Sequence, residues 1–318
     1  MIMQFSVVIP LYNKAPYVAN AIESVLSQTF TDFELIIVDD GSKDNSAEIA
    51  AQAIEGHAKC RLIRQNNAGV STARNNGVVA SQGDYLCFLD ADDWWAPNFL
   101  EEMAKLTTEF PDAGIYGTNY IIVNETKRKT RVSPIGVEAG FEKGYINYCQ
   151  VYAKTLAMPL WTGAVCIPRK VFEEAKGFNP QLKMGEDFDL WIRIAIRHKV
   201  AFLNKPLAFY NQDVEAGKRA IGSLPPPETQ FAFCADYLKE NMEKDADLRQ
   251  IVECIQIICL RSYYLSGKYH SHAHKVLNSI DLKSHLGNSY ADYLRRPVWA
   301  TRLLDKTARV VEKLKYGK

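Results

Sequence analysis

In the segment YLCFLDADDWWAP, residues 85–97, an apolar run ends abruptly in three acids and two tryptophans. The run Tyr85–Leu89 is typical of a buried central strand, so Asp90, Asp92 and Asp93 are expected where that strand meets solvent. A divalent cation relieves the repulsion among neighbouring carboxylates, and hard oxygen ligands favour Mg²⁺ or Mn²⁺. Such a cation keeps positions open for phosphate oxygens, which indicates a phosphorylated substrate. The alternative is an acidic turn that caps the following helix.

Strand-like and helix-like segments alternate along the first 89 residues. Strands are expected at 5–9, 33–38, 62–63 and 85–89. Of the three helices expected between them, the first begins at residue 16, the second ends at residue 54 and the third spans 70–80. Because crossovers between parallel strands are right-handed, this alternation predicts an α/β fold with a mainly parallel sheet. Ligand sites in such sheets gather at the carboxyl ends of the strands. The loops 10–13, 39–42 and 90–93 follow three of these strands, so we expect them to converge on one rim.

The rest of the chain changes character near residue 214. Before it, the pattern predicts a helix after Pro97, strands over 114–123, 161–167 and 200–210, a helix over 186–197, and a loop or hairpin over 124–133. The stretch 214–227 is rich in glycine and proline, which is typical of a linker or mobile loop. Helical spacing dominates after it. The predicted organisation is therefore a catalytic α/β domain over 1–213, a linker over 214–227 and an α-helical region over 228–318.

Composition narrows the class of protein. Charged residues make up 24% of the 318 residues and the formal net charge is +1, which argues against a nucleic-acid binder. The seven cysteines form no CxxC pair, as expected of reduced thiols in a cytosolic protein. The segment MIMQFSVVIP has no basic leader and is too short for a secretion signal, and no stretch reaches the length of a membrane span. We therefore expect a cytoplasmic protein.

Five blocks of sequence carry a family resemblance: SVVIPLYNKAPYVANAIESVLSQTF, ELIIVDDGSKDNS, NAGVSTARNNG, YLCFLDADD and GEDFDLWIR. Within about residues 5–210 their order and spacing resemble those of glycosyltransferase family 2. This resemblance implies a GT-A, Rossmann-like sheet flanked by helices, and inverting, nonprocessive transfer from a UDP-sugar with Mn²⁺ or Mg²⁺. It also implies a glycan or lipid-linked hydroxyl acceptor, and a place in surface polysaccharide or cell-envelope biosynthesis. The oligomeric state is not legible from the sequence.

The resemblance assigns nucleotide-sugar contacts to six residues: Pro10, Tyr12, Asn13, Asp40, Arg74 and Asp90. Asp40 resembles the family's contact to the nucleotide base, and the alternative for this carboxylate is helix capping. Arg74 lies at a helix start, where a cation is unfavourable unless an anion binds nearby. A diphosphate would supply that anion, and the alternative is a surface arginine paired with a carboxylate. Tyr12 offers a ring for stacking or for plain packing.

The same resemblance separates the acids by role. Asp92 is the expected metal ligand, Asp90 the ribose contact, and Asp93 a cap or an orienting group. Asp187 is the expected general base, which accepts a proton from the acceptor hydroxyl. Its neighbour Glu186 either supports it or only complements the helix dipole.

Two supporting residues remain. Trp161 is expected either to face the acceptor or to be a structural tryptophan. Lys218 and Arg219 lie in the predicted mobile loop, where they are able to close over the diphosphate. Many relatives have a histidine there and this chain has none, so contacts from that loop stay open.

Two other enzyme classes lack their characteristic sequence features in this chain. A processive synthase needs membrane spans and a QxxRW sequence, and a dehydrogenase needs GxGxxG after the first strand; the sequence contains neither motif. A non-catalytic nucleotide-sugar sensor or assembly partner is the alternative from another class. The tract His270, His272 and His274 reads as a solvated helix surface rather than a metal site.

The chain ends in a basic segment. Residues 295–318 contain eight basic and two acidic side chains, a net charge of +6, so the preceding part carries −5. Trp299, Leu303, Val310 and Leu314 lie on one side of a helix through this segment. It is suited to peripheral contact with an anionic inner membrane face, and the alternative is docking on the catalytic domain.

Overall fold

The structure is a computed structural model that describes residues 4–124, 126, 129–213, 224–285 and 293–304. The chain divides into two compact units, Met1–Gly222 and Ser223–Lys318. We call them the sheet unit and the helical unit and describe each by itself. Residues 214–223 of the predicted linker lie outside the described part, so the predicted domain boundaries stay a prediction.

A four-stranded parallel layer forms the first half of the sheet unit. Its strands are β1 (Phe5–Leu11), β2 (Phe33–Asp39), β3 (Cys60–Arg64) and β4 (Tyr85–Phe88), in the spatial order β3-β2-β1-β4. The helices between them are α1 (Val18–Leu26), α2 (Ser46–Ala53) and α3 (Val70–Ala80). Every residue of β1 and β2 is buried, as expected for central parallel strands with both faces covered. The predicted β-α-β alternation is confirmed.

Close helix–sheet packing depends on a glycine in α3. Gly77 faces β1 so closely that a Cβ atom at this position would collide with the side chain of Val8. A second helix, α1, buries Val18, Ile22 and Val25 against the core. Burial of such a side chain stabilises the fold by about 1.5–3 kcal/mol. These contacts fix the helices whose first turns face the rim.

The second half of the sheet mixes strand directions. Its strands are β5 (Trp94–Trp95), β6 (Ala113–Asn124), β7 (Lys129–Val132), β8 (Lys143–Ile146), β9 (Val165–Pro168) and β10 (Lys199–Asn211). β9 lies between β4 and β6 and is antiparallel to both, whereas β6 and β10 are parallel. β7 pairs with β6 in antiparallel orientation, which favours the hairpin over the loop among the described residues. The sheet is therefore mixed and mostly parallel.

One predicted strand begins later than expected. Trp161 to Ala164 do not extend the strand, because Thr162–Ala164 form a 3-10 turn closed by a hydrogen bond from the Ala164 N–H to the Trp161 carbonyl. The strand itself starts at Val165. The helices of this half are α4 (Phe99–Glu109), α5 (Tyr148–Thr155), α6 (Arg169–Glu174) and α7 (Glu186–Ala195). The elements α5, α6 and β8 are not among those predicted from the sequence.

The helical unit is built on one long helix. Its helices are α8 (Phe231–Cys234), α9 (Lys239–Lys244), α10 (Ala246–Ser266), α11 (His270–Leu277) and α12 (Leu282–His285), and residues 298–304 are also helical. Asp245 caps α10 by accepting hydrogen bonds from the N–H groups of Asp247 and Leu248. Ile257, Leu260 and Tyr263 of α10 pack against α11. In the described part of the chain, no helix combines the length and apolarity that crossing a membrane requires.

Candidate functional site

The loops that follow β1 and β2 are tied together at one rim of the sheet. The Asn13 N–H donates to Ser42 Oγ at 3.1 Å, and the Lys43 N–H donates to Asn13 Oδ1 at 2.7 Å. Asn13 has a φ of 51°, a left-handed conformation that asparagine tolerates better than most residues. Pro10 is buried in β1 opposite Val38, and Tyr12 is 40% exposed. In this arrangement Tyr12 presents its ring to solvent, whereas the Asn13 side chain holds the neighbouring loop.

Asp40 is buried and organises the loop that leads into α3. One carboxylate oxygen accepts from Gln65 Nε2 at 2.7 Å and from the Ala68 N–H at 2.7 Å. The other accepts from Asn67 Nδ2 at 3.1 Å and from the Gly69 N–H at 2.9 Å. A carboxylate has about four lone-pair directions, so four donors saturate it. Any contact between Asp40 and a base therefore requires one of these hydrogen bonds to be exchanged.

The acids after β4 have three different environments. Asp90 accepts from Arg74 at 2.7 Å, and Asp92 accepts from Lys14 Nζ at 2.5 Å. Asp93 is fully buried and accepts from the Asn211 N–H at 2.9 Å and from the Trp161 indole N–H at 3.3 Å. Burial, together with the charges of Asp92 and Asp90, raises the pKa of Asp93 well above its usual range. Asp93 thus connects β10 to Trp161 through its two hydrogen bonds.

Arg74 connects two acidic motifs that are far apart in sequence. Its guanidinium donates to Asp90 Oδ1 at 2.7 Å and to Glu186 Oε1 at 3.1 Å, and it lies 5.1 Å from the centre of the Phe178 ring. Burial alone lowers the pKa of Arg74, but the charges of Asp90 and Glu186 outweigh burial and raise it. Its Nε is buried and has no partner within the described residues. Arg74 therefore fixes the position of Asp90 relative to Glu186 in the first turn of α7.

Asp187 has the most distinctive electrostatic environment of the rim. Burial and the adjacent charge of Glu186 raise the pKa of Asp187 to about 7, against the lowering effects of the Phe188 N–H and of Arg74. Its Oδ1 accepts from the Phe188 N–H at 2.7 Å. Among the described residues its Oδ2 meets only Thr162 Oγ1, at 3.5 Å, which is long for a hydrogen bond. This oxygen can accept a proton near neutral pH.

Aromatic side chains lie beside Asp93. The Trp161 ring packs on Tyr210 with centroids 4.2 Å apart and on Tyr120 at 5.8 Å. Because Thr162 follows Trp161 directly and faces Asp187, the aromatic cluster and the acid share one side of the site. Trp161 thus has both a structural hydrogen bond and a place beside the candidate base.

The remaining residues discussed from the sequence lie either outside the described residues or in the helical unit. Lys218 and Arg219 lie outside the described residues. The tract His270, His272 and His274 belongs to α11 of the helical unit, where His270 Nδ1 lies 2.8 Å from the Tyr264 carbonyl and His274 Nδ1 lies 3.1 Å from Asn278 Nδ2. Within the described chain, no group of three or more His, Cys, Asp or Glu side chains is arranged to hold a metal ion.

Asp90 and Asp92, the two acids of the Asp-Ala-Asp sequence after β4, fit a cation that brings further ligands with it. Mg²⁺ and Mn²⁺ sites of enzymes that use phosphorylated substrates commonly take one or two carboxylates and complete their shell with phosphate oxygens and water. Asp90 and Asp92 supply two such carboxylates. Both carry basic partners, so an incoming cation must share or displace them. The donor set therefore suits a cation bound together with a diphosphate.

Lys14 is the site residue that sequence reasoning missed. It follows the PLYN loop directly, and its ammonium reaches across the rim to Asp92, which lies 78 positions further along the chain. A single lysine in a loop expected beside three acids is a signal of charge complementarity. That signal is available from the sequence once the two loops are placed on one rim.

Comparison with solved structures defines the architecture as the GT-A type. The chain is similar to residues 1–349 of TarS from S. aureus in complex with UDP-GlcNAc, with a TM-score of 0.62, 18% identity and coverage of 92% of this chain and 75% of that one. It is also similar to the mannosyltransferase PcManGT from Pyrobaculum calidifontis in complex with GDP-Man and Mn²⁺, with a TM-score of 0.56, 16% identity and coverage of 98% and 87%. At these identities the likeness concerns the fold, and it confirms the predicted fold class.

Residues 6–175 match the family model Glycosyl transferase family 2, so this chain belongs to that family. GlyA of Streptococcus pneumoniae is 32% identical over 215 residues, covering 65% of this chain and 30% of that protein. A Rickettsia felis glycosyltransferase is 34% identical over 193 residues, covering 59% and 31%. GlyG of S. pneumoniae is 26% identical over 251 residues, covering 76% and 79%. The chain thus spans about a third of the length of several relatives and most of GlyG.

Proposed function

We propose that the protein is an inverting, metal-dependent glycosyltransferase that moves a sugar from a UDP-sugar to a hydroxyl of a glycan or lipid-linked acceptor. The observation that carries this proposal is Asp187, a carboxylate with a pKa raised to about 7 near Arg74, which pairs with both Asp90 and Glu186. A general base works best when its pKa lies near the working pH. The family and the GT-A fold support the same reaction class. Surface polysaccharide or cell-envelope biosynthesis is the proposed setting.

The proposed chemistry is a single displacement. Asp187 Oδ2 accepts the proton of the acceptor hydroxyl while that oxygen attacks the anomeric carbon. The bond from this carbon to the diphosphate breaks on the opposite face, so the configuration inverts. Trp161, beside Asp93 and Thr162, is placed to stack on an acceptor sugar.

The proposed donor site is the rim formed by the loops after β1, β2 and β4. Asp40 and the loop it holds shape the base pocket together with Pro10 and Asn13, and the exposed ring of Tyr12 is available for stacking on the base. Asp90 contacts the ribose. Arg74 acts mainly by holding Asp90 and Glu186, and its positive charge also favours the diphosphate. UDP is the proposed nucleotide, and TarS, of the same fold, is solved with UDP-GlcNAc.

The proposed cofactor is Mn²⁺ or Mg²⁺, held by Asp92 and by oxygens of the donor diphosphate. Such a cation neutralises the charge that develops on the leaving diphosphate. PcManGT, which has the same fold, is solved with GDP-Man and Mn²⁺. In this proposal Asp92 holds the cation and Asp93 keeps its structural hydrogen bonds.

A donor screen tests the proposal. Thermal unfolding is measured with a panel of UDP-sugars and GDP-sugars, each with Mn²⁺ and with EDTA. We expect one or a few UDP-sugars with Mn²⁺ to raise the midpoint temperature of unfolding. A ligand present at a concentration of about 100 times its Kd adds about 2.7 kcal/mol to the free energy of unfolding. The same donors should release UDP slowly in water. Stabilisation without any turnover in acceptor extracts favours a sensor instead, and stabilisation by no nucleotide sugar contradicts the proposed function.

Peripheral membrane contact through the basic segment 295–318 is proposed for the intact chain in the cytoplasm. Trp299 is 70% exposed and Leu303 is 59% exposed, and residues 305–318 lie outside the described structure. We expect the full chain to float with anionic liposomes and a chain truncated before Arg295 to stay in the lower fractions. Neutral liposomes are the control. Equal flotation of both chains removes the membrane proposal and favours docking on the protein.

A further inference from the structure

The candidate metal ligand already has a cationic partner. Lys14 Nζ lies 2.5 Å from Asp92 Oδ2, and the two side chains are only 16% and 17% exposed. Surface ion pairs of lysine are usually well solvated and weak, but this one is largely shielded from water. A positive charge is therefore built into the position that the cation is proposed to take.

The backbone around Lys14 is fixed on both sides. The left-handed conformation of Asn13 turns the chain just before it. The Lys14 N–H donates to Ser46 Oγ at 2.7 Å, and the Ala15 N–H donates to Asp44 Oδ2 at 3.3 Å. These contacts attach the loop to the start of α2, so the lysine side chain is directed across the rim by the fold.

Electrostatics makes the two cations compete. A divalent cation bound to Asp92 would lie within a few ångströms of the Lys14 ammonium, where repulsion is strong and poorly screened by solvent. The diphosphate of a nucleotide changes this balance because its oxygens can neutralise both positive charges. Cation and nucleotide should then bind cooperatively, with Lys14 as part of the cause.

We propose that Lys14 is the resident counter-ion of Asp92, and that it makes divalent-cation binding depend on a bound nucleotide diphosphate. Lys14 leaves Asp92 for the diphosphate when nucleotide and cation bind together. This inference rests on the proposed function for its donor class. It assigns Lys14 a positioning and ordering role that the family resemblance does not include.

Titration of Mn²⁺, followed by the electron paramagnetic resonance signal of the free ion, tests the inference with and without UDP. For the original protein we expect a Kd for Mn²⁺ that is much weaker without UDP than with it. Lys14→Met should tighten Mn²⁺ binding without UDP and lower the ratio of the two Kd values by about tenfold. Lys170→Met, an equal change of charge at a lysine that is 87% exposed on α6, should leave both Kd values unchanged.

The variant Asp92→Asn provides a second test in the same Mn²⁺ titration. This test does not require that Lys14→Met folds. In the original background Asp92→Asn should abolish UDP-dependent Mn²⁺ binding while hardly changing the weak binding without UDP. In the double variant with Lys14→Met, Asp92→Asn should abolish the increase in Mn²⁺ affinity that Lys14→Met alone gives without UDP. Equal Kd values for the original protein and Lys14→Met without UDP overturn the inference, as does a gain that survives Asp92→Asn. Absence of UDP binding with Mn²⁺ in the original protein instead overturns the proposed function.

Discussion

Asp187→Asn is expected to lower kcat for sugar transfer by about 10³-fold and to leave the Kd for UDP almost unchanged. The amide has the shape of the carboxylate but cannot accept the proton of the acceptor hydroxyl. Steady-state kinetics and calorimetric UDP titration measure the two quantities. Asp189→Asn is the matched control, because Asp189 lies on the same helix and pairs with Arg193 at 2.7 Å. The control Asp189→Asn should lower stability more than it lowers kcat. If Asp187→Asn keeps a kcat close to that of the original enzyme, Asp187 is not the general base.

The raised pKa of Asp187 predicts two pH-dependent effects, one on the activity of the original enzyme and one on the stability of the Asp187→Asn variant. Because the base must be ionised, kcat/KM should rise with pH up to about 7 and level off above it. The fold favours the protonated acid, whose pKa is 3.8 in its ordinary state. Its contribution to stability is therefore present at low pH and lost as the pH rises through about 7. Asp187→Asn should raise the unfolding midpoint at pH 8 and not at pH 4, whereas a solvated acid would give no such difference.

Arg74→Met is expected to destabilise the sheet unit by about 3–5 kcal/mol and to remove activity, because it leaves Asp90 and Glu186 partly buried without their counter-charge. Arg74→Lys keeps the charge but has no planar fork to reach both acids, so we expect a large fall in kcat with a smaller loss of stability. Denaturant unfolding and steady-state kinetics measure these effects.

The control for Arg74 is an arginine in an exposed ion pair. Arg64 is 60% exposed and pairs with Glu48 at 3.3 Å, so Arg64→Met should cost less than about 1 kcal/mol. Adding Glu186→Gln to Arg74→Met should restore part of the lost stability, since it removes one of the acids left unpaired. If Arg74→Met costs no more than Arg64→Met, the bridge does not organise the site.

The sequence predicts the parallel half of the fold well because local patterns carry it. Apolar runs that end in polar loops mark β1, β2 and β4, and α3 has the predicted bounds of Val70 and Ala80. The direction of β9 is beyond such patterns, because it depends on pairing with β4 and β6 rather than on local sequence. The 3-10 turn before it similarly depends on a tertiary setting in which Trp161 bonds to Asp93.

The site shows the same division between local and distant information. Motifs identify the acids, but their partners come from elsewhere: Arg74 and Glu186 are 112 positions apart. The four donors to Asp40 come from the loop at 65–69, whose conformation no periodicity reveals. Spacing therefore identifies candidate groups, and only the fold shows how their charges are balanced.

The reversal of β9 separates two kinds of information in the chain. In the proposed function, residues at the ends of β1, β2 and β4 bind the donor, whereas Trp161 and Thr162 precede a strand that runs in the opposite direction. Exchange of the short stretch before β9 between relatives would then leave the nucleotide motifs intact. In this proposal, acceptor preference can change through substitution of the segment before β9, while the residues proposed to bind the nucleotide sugar stay the same.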